Sequence, residues 1–261
     1  MSAQSHRSDP RILGRRTLES DHRRLAELLR PGSSVLDVGC GTGSITAGIA
    51  KVVGPLGQVV GIDRDLGLLE RARKEHASVA NLRFEPGDAT TLSQTAQYDF
   101  VTSARTLQWI PEPGLAIQNM KRALKPSGML VVLDYNHFNN AWDPEPPEEF
   151  KVFYDAFLAW RSSNGCDNQI ADHLPGLFES AGLVNVNSRV QDEVVERKHP
   201  EFAERAALWL EVIDNIGEQL SVAGFCTKIQ IDEARTSYAP WVKQVLEKQT
   251  LAMKAVIGVA L

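Results

Sequence analysis

The segment Val35-Leu36-Asp37-Val38-Gly39-Cys40-Gly41-Thr42-Gly43 constrains the fold more than any other part of the chain. Its first half is a short apolar run, the pattern of a parallel strand buried on both faces. Three glycines at alternate positions follow. Glycine serves there because the backbone must adopt special φ/ψ values or approach a ligand closely. Ile45, Ile49, Val52 and Val53 then recur at helical spacing until Gly54-Pro55 ends the pattern. Strand, glycine turn and helix together open a βαβ unit.

The cycle repeats downstream. Strands are expected over 58–62, 82–85, 98–103 and 129–135, with helices over 66–76 and 115–124 between them. Strands alternating with helices predict a parallel sheet covered on both faces. Upstream, 1–16 reads as a loose arm. Ser20 or Asp21 is expected to cap a helix running to about Arg30, carrying Leu25, Leu28 and Leu29 on one face and stopped by Pro31-Gly32. Beyond Asn136 the rhythm changes. The Asn- and Pro-rich stretch 136–147 reads as a loop, followed by helices over 148–160 and 171–181, a strand near 183–190, helical stretches over 200–220 and 231–248, and a C-terminal strand. The expected fold is α/β: a Rossmann-like, doubly wound, mainly parallel seven-stranded sheet with helices on both faces and helical insertions forming a lid. One domain, 1–261, is expected: arm and helix over 1–30, a core over 31–136, a lid from 137–170 and 200–250, and a closing strand over 251–261.

Two acids sharpen the reading of the glycine turn. A dinucleotide fingerprint would be GxGxxG, with glycine at 44. Here Ser44 stands there, and the pattern is GxGxG preceded by Asp37. A carboxylate serves a pyrophosphate poorly but serves the cationic amino group of a bound amino acid well. Asp63 ends the second strand, about 20 residues on, where a carboxylate can accept from ribose hydroxyls; NAD sites use the same device. Asp88, in Pro86-Gly87-Asp88-Ala89, ends the third strand and can accept from the exocyclic amine of adenine. Asp37, the glycines, Asp63 and Asp88 thus fall at three successive strand ends.

On these residues, the stretch from Ser34 to Tyr135 resembles the core of class I methyltransferases, which use S-adenosyl-L-methionine (SAM) and release S-adenosyl-L-homocysteine. Val35–Gly43 is similar to the family's first motif, Gly61-Ile62-Asp63 to the second and Gly87-Asp88-Ala89 to the third. Tyr98-Asp99-Phe100-Val101 with Ser103 resembles the fourth, and Leu124-Lys125-Pro126-Ser127-Gly128-Met129-Leu130 the turn before the fifth strand. The resemblance implies that Gly39, Gly41 and the backbone near Ser103 hold the methionine portion, Asp63 the ribose, and Asp88-Ala89 the adenine. Cys40, Gly43, Arg64, Ala104 and Arg105, in the same turns, complete the expected cofactor site. The core is similar to that of ubiquinone/menaquinone-type enzymes, yet Leu107-Gln108-Trp109-Ile110 stands where C-methylating members of that group carry Gly-Ile-Arg-Asn. The Asn/Asp-Pro-Pro-Tyr/Phe motif of amino-group methylation is also absent from this position.

Methyl transfer from a sulfonium is an in-line displacement that the protein can promote by proximity and orientation. A base is needed only where the acceptor must lose a proton. His137, just past the fifth strand, is the candidate base, since imidazole titrates near neutrality; a structural histidine is the other reading. His173, beside Asp172 on an expected helix, is a second candidate. Trp109, Tyr135 and Asn136 are candidate acceptor contacts, with Arg105 and Gln108 nearby. Trp109 can wall the acceptor site, pack on adenine, or simply fill the core. Phe150, Phe153, Tyr154, Phe157 and Trp160 fit either an aromatic acceptor pocket or the packed face of a helix.

Charge and composition limit the partners. The formal charge is −5, from 28 basic and 33 acidic residues, which opposes a polyanionic partner. Cys40, Cys166 and Cys226 form no CxxC pair, so neither a disulfide framework nor a metal site is expected. The first ten residues lack the apolar core of a signal peptide. The expectation is a cytoplasmic monomer or homodimer that methylates a small molecule on O, N or C, with no nucleic-acid or membrane partner. The competing readings are a SAM-binding protein without transferase activity, an NAD-dependent oxidoreductase, and an RNA methyltransferase.

Overall fold

The computed structural model describes residues 10–261; residues 1–9 of the expected arm lie outside the described residues. In chain order the first half holds α1 (Pro10–Arg15), α2 (Leu18–Asp21), α3 (Arg23–Leu28), β1 (Ser34–Val38), α4 (Ser44–Val53), β2 (Gln58–Asp63), α5 (Leu66–Glu75), β3 (Leu82–Pro86), β4 (Tyr98–Ala104), α6 (Pro113–Ala123) and β5 (Leu124–Tyr135). The second half holds β6 (Ala141–Asp143), α7 (Glu148–Ser163), α8 (Ile170–Ser180), β7 (Val184–Val190), β8 (Glu193–Glu196), α9 (Phe202–Ala206), α10 (Leu208–Val222), α11 (Lys228–Gln244), β9 (Lys248–Leu251) and β10 (Met253–Val259).

The chain groups into two compact units. The larger comprises Pro10–Tyr135, Gln169–Gln191 and Met253–Leu261, and the described part of the smaller comprises Asn136–Asn168 and Asp192–Ala252. The expected single domain with insertions is thus a chain in which the inserted segments assemble with one another.

The larger unit is built on a seven-stranded sheet in the order β3-β2-β1-β4-β5-β10-β7. Pairs β2–β3, β1–β2, β1–β4 and β4–β5 are parallel, while β10 runs antiparallel to both β5 and β7. Successive strands extend outward from β1 in one direction and from β4 in the other. The carboxyl ends of β1 and β4 therefore flank the switch point where ligands bind in open α/β sheets. Alternate residues of β1 serve opposite faces. Val35 packs with Ile49 and Val53 of α4 and with Leu18 and Leu25, whereas Leu36 packs with Ile117, Met120 and Phe178. Burying each such side chain contributes about 1.5–3 kcal/mol, which is why β1 is apolar on both faces but for Asp37 near its end.

The helix expected from a Ser20 or Asp21 cap to about Arg30 is α3, which begins at Arg23. Its N-cap is His22, with φ/ψ of −145°/50° and no side-chain cap bond, and the separate short helix α2 precedes it. Thr17, rather than Ser20 or Asp21, caps α2 by accepting from the Ser20 N–H at 3.1 Å. Asp21 and His22 are instead turned into the interior.

The smaller unit holds nearly all of the segments 137–170 and 200–250 expected to form the lid, residues 169–170 falling in the larger unit, but it is not purely helical. β6, β9 and β8 form a three-stranded antiparallel sheet, and the expected 136–147 loop contains both the 3-10 turn His137–Asn139 and β6. Strands of three or four residues such as Lys248-Gln249-Thr250-Leu251 are too short to carry a periodic signal. Phe150, Phe153 and Phe157 are buried, with Phe150 stacked on Tyr238 at 4.1 Å and Tyr154 edge-on to Trp209 at 4.9 Å. The aromatic set is the core of this unit.

Candidate cofactor site

The glycine turn is shaped by backbone geometry. Gly39, Gly41 and Gly43 have φ of 78°, 55° and 78°, left-handed values that cost an L-residue about 1–2 kcal/mol. A Cβ on Gly39 would also overlap the side chain of Thr106, and one on Gly43 the ring of Phe84. The amides of Gly39 and Cys40 donate to the Ile62 carbonyl at 2.8 and 3.0 Å. Gly43 caps α4 in the left-handed conformation and no side chain caps the first turn, so that turn presents its N–H groups to a ligand.

Two carboxylates meet this turn, and a third ends the next strand along. Asp37, buried at the end of β1, accepts from the Thr46 hydroxyl at 2.7 Å. Burial, with the charge of Asp63 adding to it, pushes its pKa up to about 6 against the pull of the Thr46 hydrogen bond. Asp63 accepts from Gly41 N at 2.8 Å and from Asp65 N at 2.9 Å, binding the second strand end to the glycine turn. Gly87 N donates to the Asp63 carbonyl at 3.0 Å, which brings the third strand end alongside. There Asp88 Oδ1 accepts from Thr90 N at 2.8 Å and Thr90 Oγ1 at 2.7 Å, and Asn119 Nδ2 donates to the Ala89 carbonyl at 3.0 Å.

The fourth strand end closes the group. Ser103 Oγ donates to the Val38 carbonyl at 2.8 Å, and Thr106 Oγ1 to the Ala104 carbonyl at 3.2 Å. Asp37, Gly39, Cys40, Gly41, Gly43, Asp63, Asp88, Ala89, Ser103 and Ala104 are therefore gathered at adjoining strand ends. Two expected members differ in side-chain direction. Arg64 is exposed. Arg105 (φ 58°) is buried and donates from Nε to Tyr135 OH at 3.1 Å and from Nη1 to the Asp21 carbonyl at 3.1 Å. The Cys40 thiol faces Gly61, where a Cβ would lie 3.0 Å from its sulfur, and burial with the neighbouring Asp37 and Asp63 pushes that thiol's pKa well up.

The acceptor candidates are scattered over both units. In the larger, Trp109 ends the half-buried 3-10 turn Leu107–Trp109, and Tyr135 is buried at the end of β5. His173 is exposed on α8, and its neighbour Asp172 pairs with Lys254 at 2.6 Å. In the smaller unit, Asn136 Oδ1 accepts from Phe138 N at 3.0 Å. His137 is buried edge-on to Phe157, its pKa pushed well below the usual histidine value by burial and by Arg161. Such surroundings keep the imidazole neutral and make it a weak base.

Several residues of this region carry no sequence signal. Asp134, fully buried in β5, accepts from Gln108 N at 3.2 Å, and Thr46 and Thr106 hold Asp37 and Gly39. Each acts through a partner distant in sequence, which spacing alone does not reveal.

A doubly wound sheet with a glycine turn and carboxylates at its switch point is the architecture of a class I nucleotide-cofactor fold, and comparison with known proteins narrows it. A family model described as a methyltransferase domain matches residues 29–180. The demethylmenaquinone methyltransferase of Staphylococcus aureus (strain JH9) is 31% identical over 189 residues, covering 68% of this chain and 78% of that protein. Among solved structures, a SAM-dependent methyltransferase from Aquifex aeolicus aligns with TM-score 0.55 at 18% identity, over 98% of this chain and 100% of that one. Phosphoethanolamine N-methyltransferase 2 of Haemonchus contortus, solved with phosphomonomethylethanolamine and S-adenosylhomocysteine, aligns with TM-score 0.56 at 17% identity, over 92% and 52%. The chain belongs to the methyltransferase-domain family. It is a class I SAM-dependent methyltransferase.

Proposed function

We propose that this enzyme methylates a small-molecule acceptor on O, N or C, and that the gathered strand ends of the larger unit hold its methyl donor. One observation carries the donor assignment. Asp37 and Asp63 bring two carboxylates to one glycine turn, and the buried Asp37 resists ionisation there. A ligand carrying an ammonium and a sulfonium relieves that potential, whereas the pyrophosphate of NAD would add to it.

SAM supplies an activated methyl group. Around it the residues divide the work. Asp37 accepts from the ammonium, and the backbone at Gly39, Gly41 and Ser103–Arg105 lines the methionine portion. The uncapped first turn of α4 takes the carboxylate. Asp63 accepts from the ribose hydroxyls, and Asp88 with the backbone of Ala89 takes the adenine edge. Cys40 and Gly43 complete the turn, with the exposed Arg64 beside Asp63. Trp109, Tyr135, Asn136 and His137 are proposed on the acceptor side. Catalysis rests on orientation, and the low basicity of His137 suits an acceptor that loses its proton without strong base assistance.

The charge of −5 supports a small acceptor over a polyanion, and the S. aureus relative is named for one, a demethylated menaquinone. Calorimetric titration with SAM, S-adenosylhomocysteine and NAD tests the donor site. Micromolar binding of the first two, absent for NAD and lost in Asp63→Ala, is expected. Binding of NAD alone refutes the assignment. A screen of small acceptors with labelled SAM tests the rest; turnover of a macromolecular acceptor with none of the small molecules would refute the small-acceptor reading.

A further inference from the structure

In the larger unit, Leu13 and Leu18 reach the glycine turn and its helix α4, and a buried ion pair lies a few residues further on, at Asp21. A Cβ on Gly41 would lie 3.0 Å from Leu13 Cδ1, and one on Gly48 in α4 would lie 2.8 Å from Leu18 Cβ. Leu13 and Leu18 thus lean on the turn and on its helix. The segment is tied down at its far end by Asp21 and His22. Asp21 Oδ2 accepts from Thr17 N at 2.9 Å and Ser20 Oγ at 2.5 Å, closing the α2 turn. Its Oδ1 pairs with Arg105 Nη2 at 3.4 Å, and its carbonyl accepts from Arg105 Nη1 at 3.1 Å. His22 Nε2 lies 2.8 Å from Thr102 Oγ1, which donates to the Val131 carbonyl at 2.9 Å.

Arg105 is the connecting residue. It follows Ser103 and Ala104 at the end of β4, its φ of 58° is left-handed, and its N–H donates to Leu133 O at 2.7 Å. The next residue, Thr106, occupies the space beside Gly39. One residue therefore touches the wall of the donor site through its backbone neighbours and holds the N-terminal segment through its guanidinium. Burial alone would raise the Asp21 pKa. Arg105, the Ser20 hydroxyl and the Thr17 N–H overcome that and hold it below the usual value, so the pair is ionised.

We propose that Asp21 and Arg105 are positioning residues for donor binding: their buried pair clamps residues 10–22 against the glycine turn, so that Leu13 forms part of the enclosure around the bound donor. This rests on the donor-site assignment above. It makes the N-terminal segment a determinant of donor affinity and residence time, although no residue of 10–22 belongs to the glycine turn or the strand-end acids.

The test uses the full chain and S-adenosylhomocysteine as probe, with calorimetry for affinity and hydrogen exchange for order. In the wild type, the probe is expected to slow exchange of the amides of residues 13–22. Asp21→Asn is expected to weaken binding at least tenfold and abolish that protection, with Asp21→Glu recovering part of both. Leu13→Ala leaves the ion pair intact and is expected to weaken binding at least fivefold, so it decides the matter should Asp21→Asn not fold. Val53→Ala, a core truncation at the other end of α4, controls for lost stability and is expected to bind as wild type. The proposal is overturned if Leu13→Ala and any folded Asp21→Asn protein bind as wild type, or if Val53→Ala weakens binding equally. Failure of the donor-site assignment looks different: the wild type would not bind the probe, or Asp63→Ala would bind it unchanged, and the clamp would fall with it.

Discussion

Asp37→Asn tests the electrostatics of the donor site most directly. Burial, reinforced by Asp63, lifts the carboxyl from the usual 3.8 to about 6. At about 1.4 kcal/mol per tenfold change in proton affinity, holding Asp37 ionised in the ligand-free protein costs about 3 kcal/mol. The sign follows from proton counting. Between pH 4 and 6 the folded protein keeps a proton that the unfolded chain has lost, so stability falls as pH rises through this window. Below the window the contribution is intact, and above it the whole amount is gone. Asparagine has no such window and still accepts from the Thr46 hydroxyl. At pH 8 the ligand-free variant is therefore expected to be more stable by up to about 3 kcal/mol, roughly 5–10 °C in melting temperature. At pH 4 the two proteins should nearly coincide. Donor binding should show the converse: wild-type affinity for SAM falls with acidification below about pH 6, while the variant binds weakly with little pH dependence. Urea denaturation and calorimetry of both proteins at pH 4.5–8 measure this. Parallel stability curves across the range would refute the reasoning, because they would mean that Asp37 is not carried uncompensated in the empty site.

The other expectations concern the same turn and its surroundings. Gly39→Ala adds a left-handed residue and a clash with Thr106; it is expected to lose about 2–4 kcal/mol of stability and measurable SAM binding, read by denaturation and calorimetry. Thr46→Val removes the hydrogen bond that eases ionisation of Asp37. The acid limb of SAM affinity should then move to higher pH, and a limb that stays in place would count against the role given to Thr46. Leu36→Ala empties a fully buried position in β1 and should cost about 2–5 kcal/mol by denaturation. Lys125→Ala breaks a half-exposed pair with Asp99 and is expected to cost no more than about 1 kcal/mol, leaving SAM affinity unchanged.

Most strands and helices of the larger unit were legible because they are long enough to show a period and are punctuated by glycine or proline; the short α1, lying in the expected loose arm, and the four-residue α2 are the exceptions. The gathering of Asp37, the glycines, Asp63 and Asp88 at adjoining strand ends was legible because the signal is local, an acid or a glycine at the end of an apolar run. What escaped was non-local. The guanidinium of Arg105 was expected beside the cofactor from its position after β4, but Asp21, 84 residues earlier, draws it inward. The exact start of the helix before Arg30 escaped for the same reason: its N-cap is His22, whose ring bonds to Thr102 on the sheet, 80 residues on, rather than Ser20 or Asp21. Among the described residues the three short strands of the smaller unit pair with one another alone, so no single segment announced them.

The acids along the sheet show what sequence position does and does not determine. Asp99 lies in a motif as family-like as those of Asp37, Asp63 and Asp88, yet it stands at the opening of β4, not its close. Parallel strands share a direction, so an acid at a strand's amino end lies at the edge of the sheet away from the glycine turn. There Asp99 accepts from Ser34 N at 2.8 Å and Ser34 Oγ at 2.7 Å and pairs with Lys125 at 2.9 Å. Its partners overcome the effect of burial and hold its pKa below the usual value. Asp37 has one hydroxyl and a neighbouring carboxylate, and its pKa is pushed the other way. The same residue type in neighbouring strands is satisfied at one end of the sheet and left in want of a cation at the other. That contrast separates an acid that fastens the fold from the one proposed to meet the donor, and strand direction, readable from the order of apolar run and glycine, is enough to tell which end each occupies.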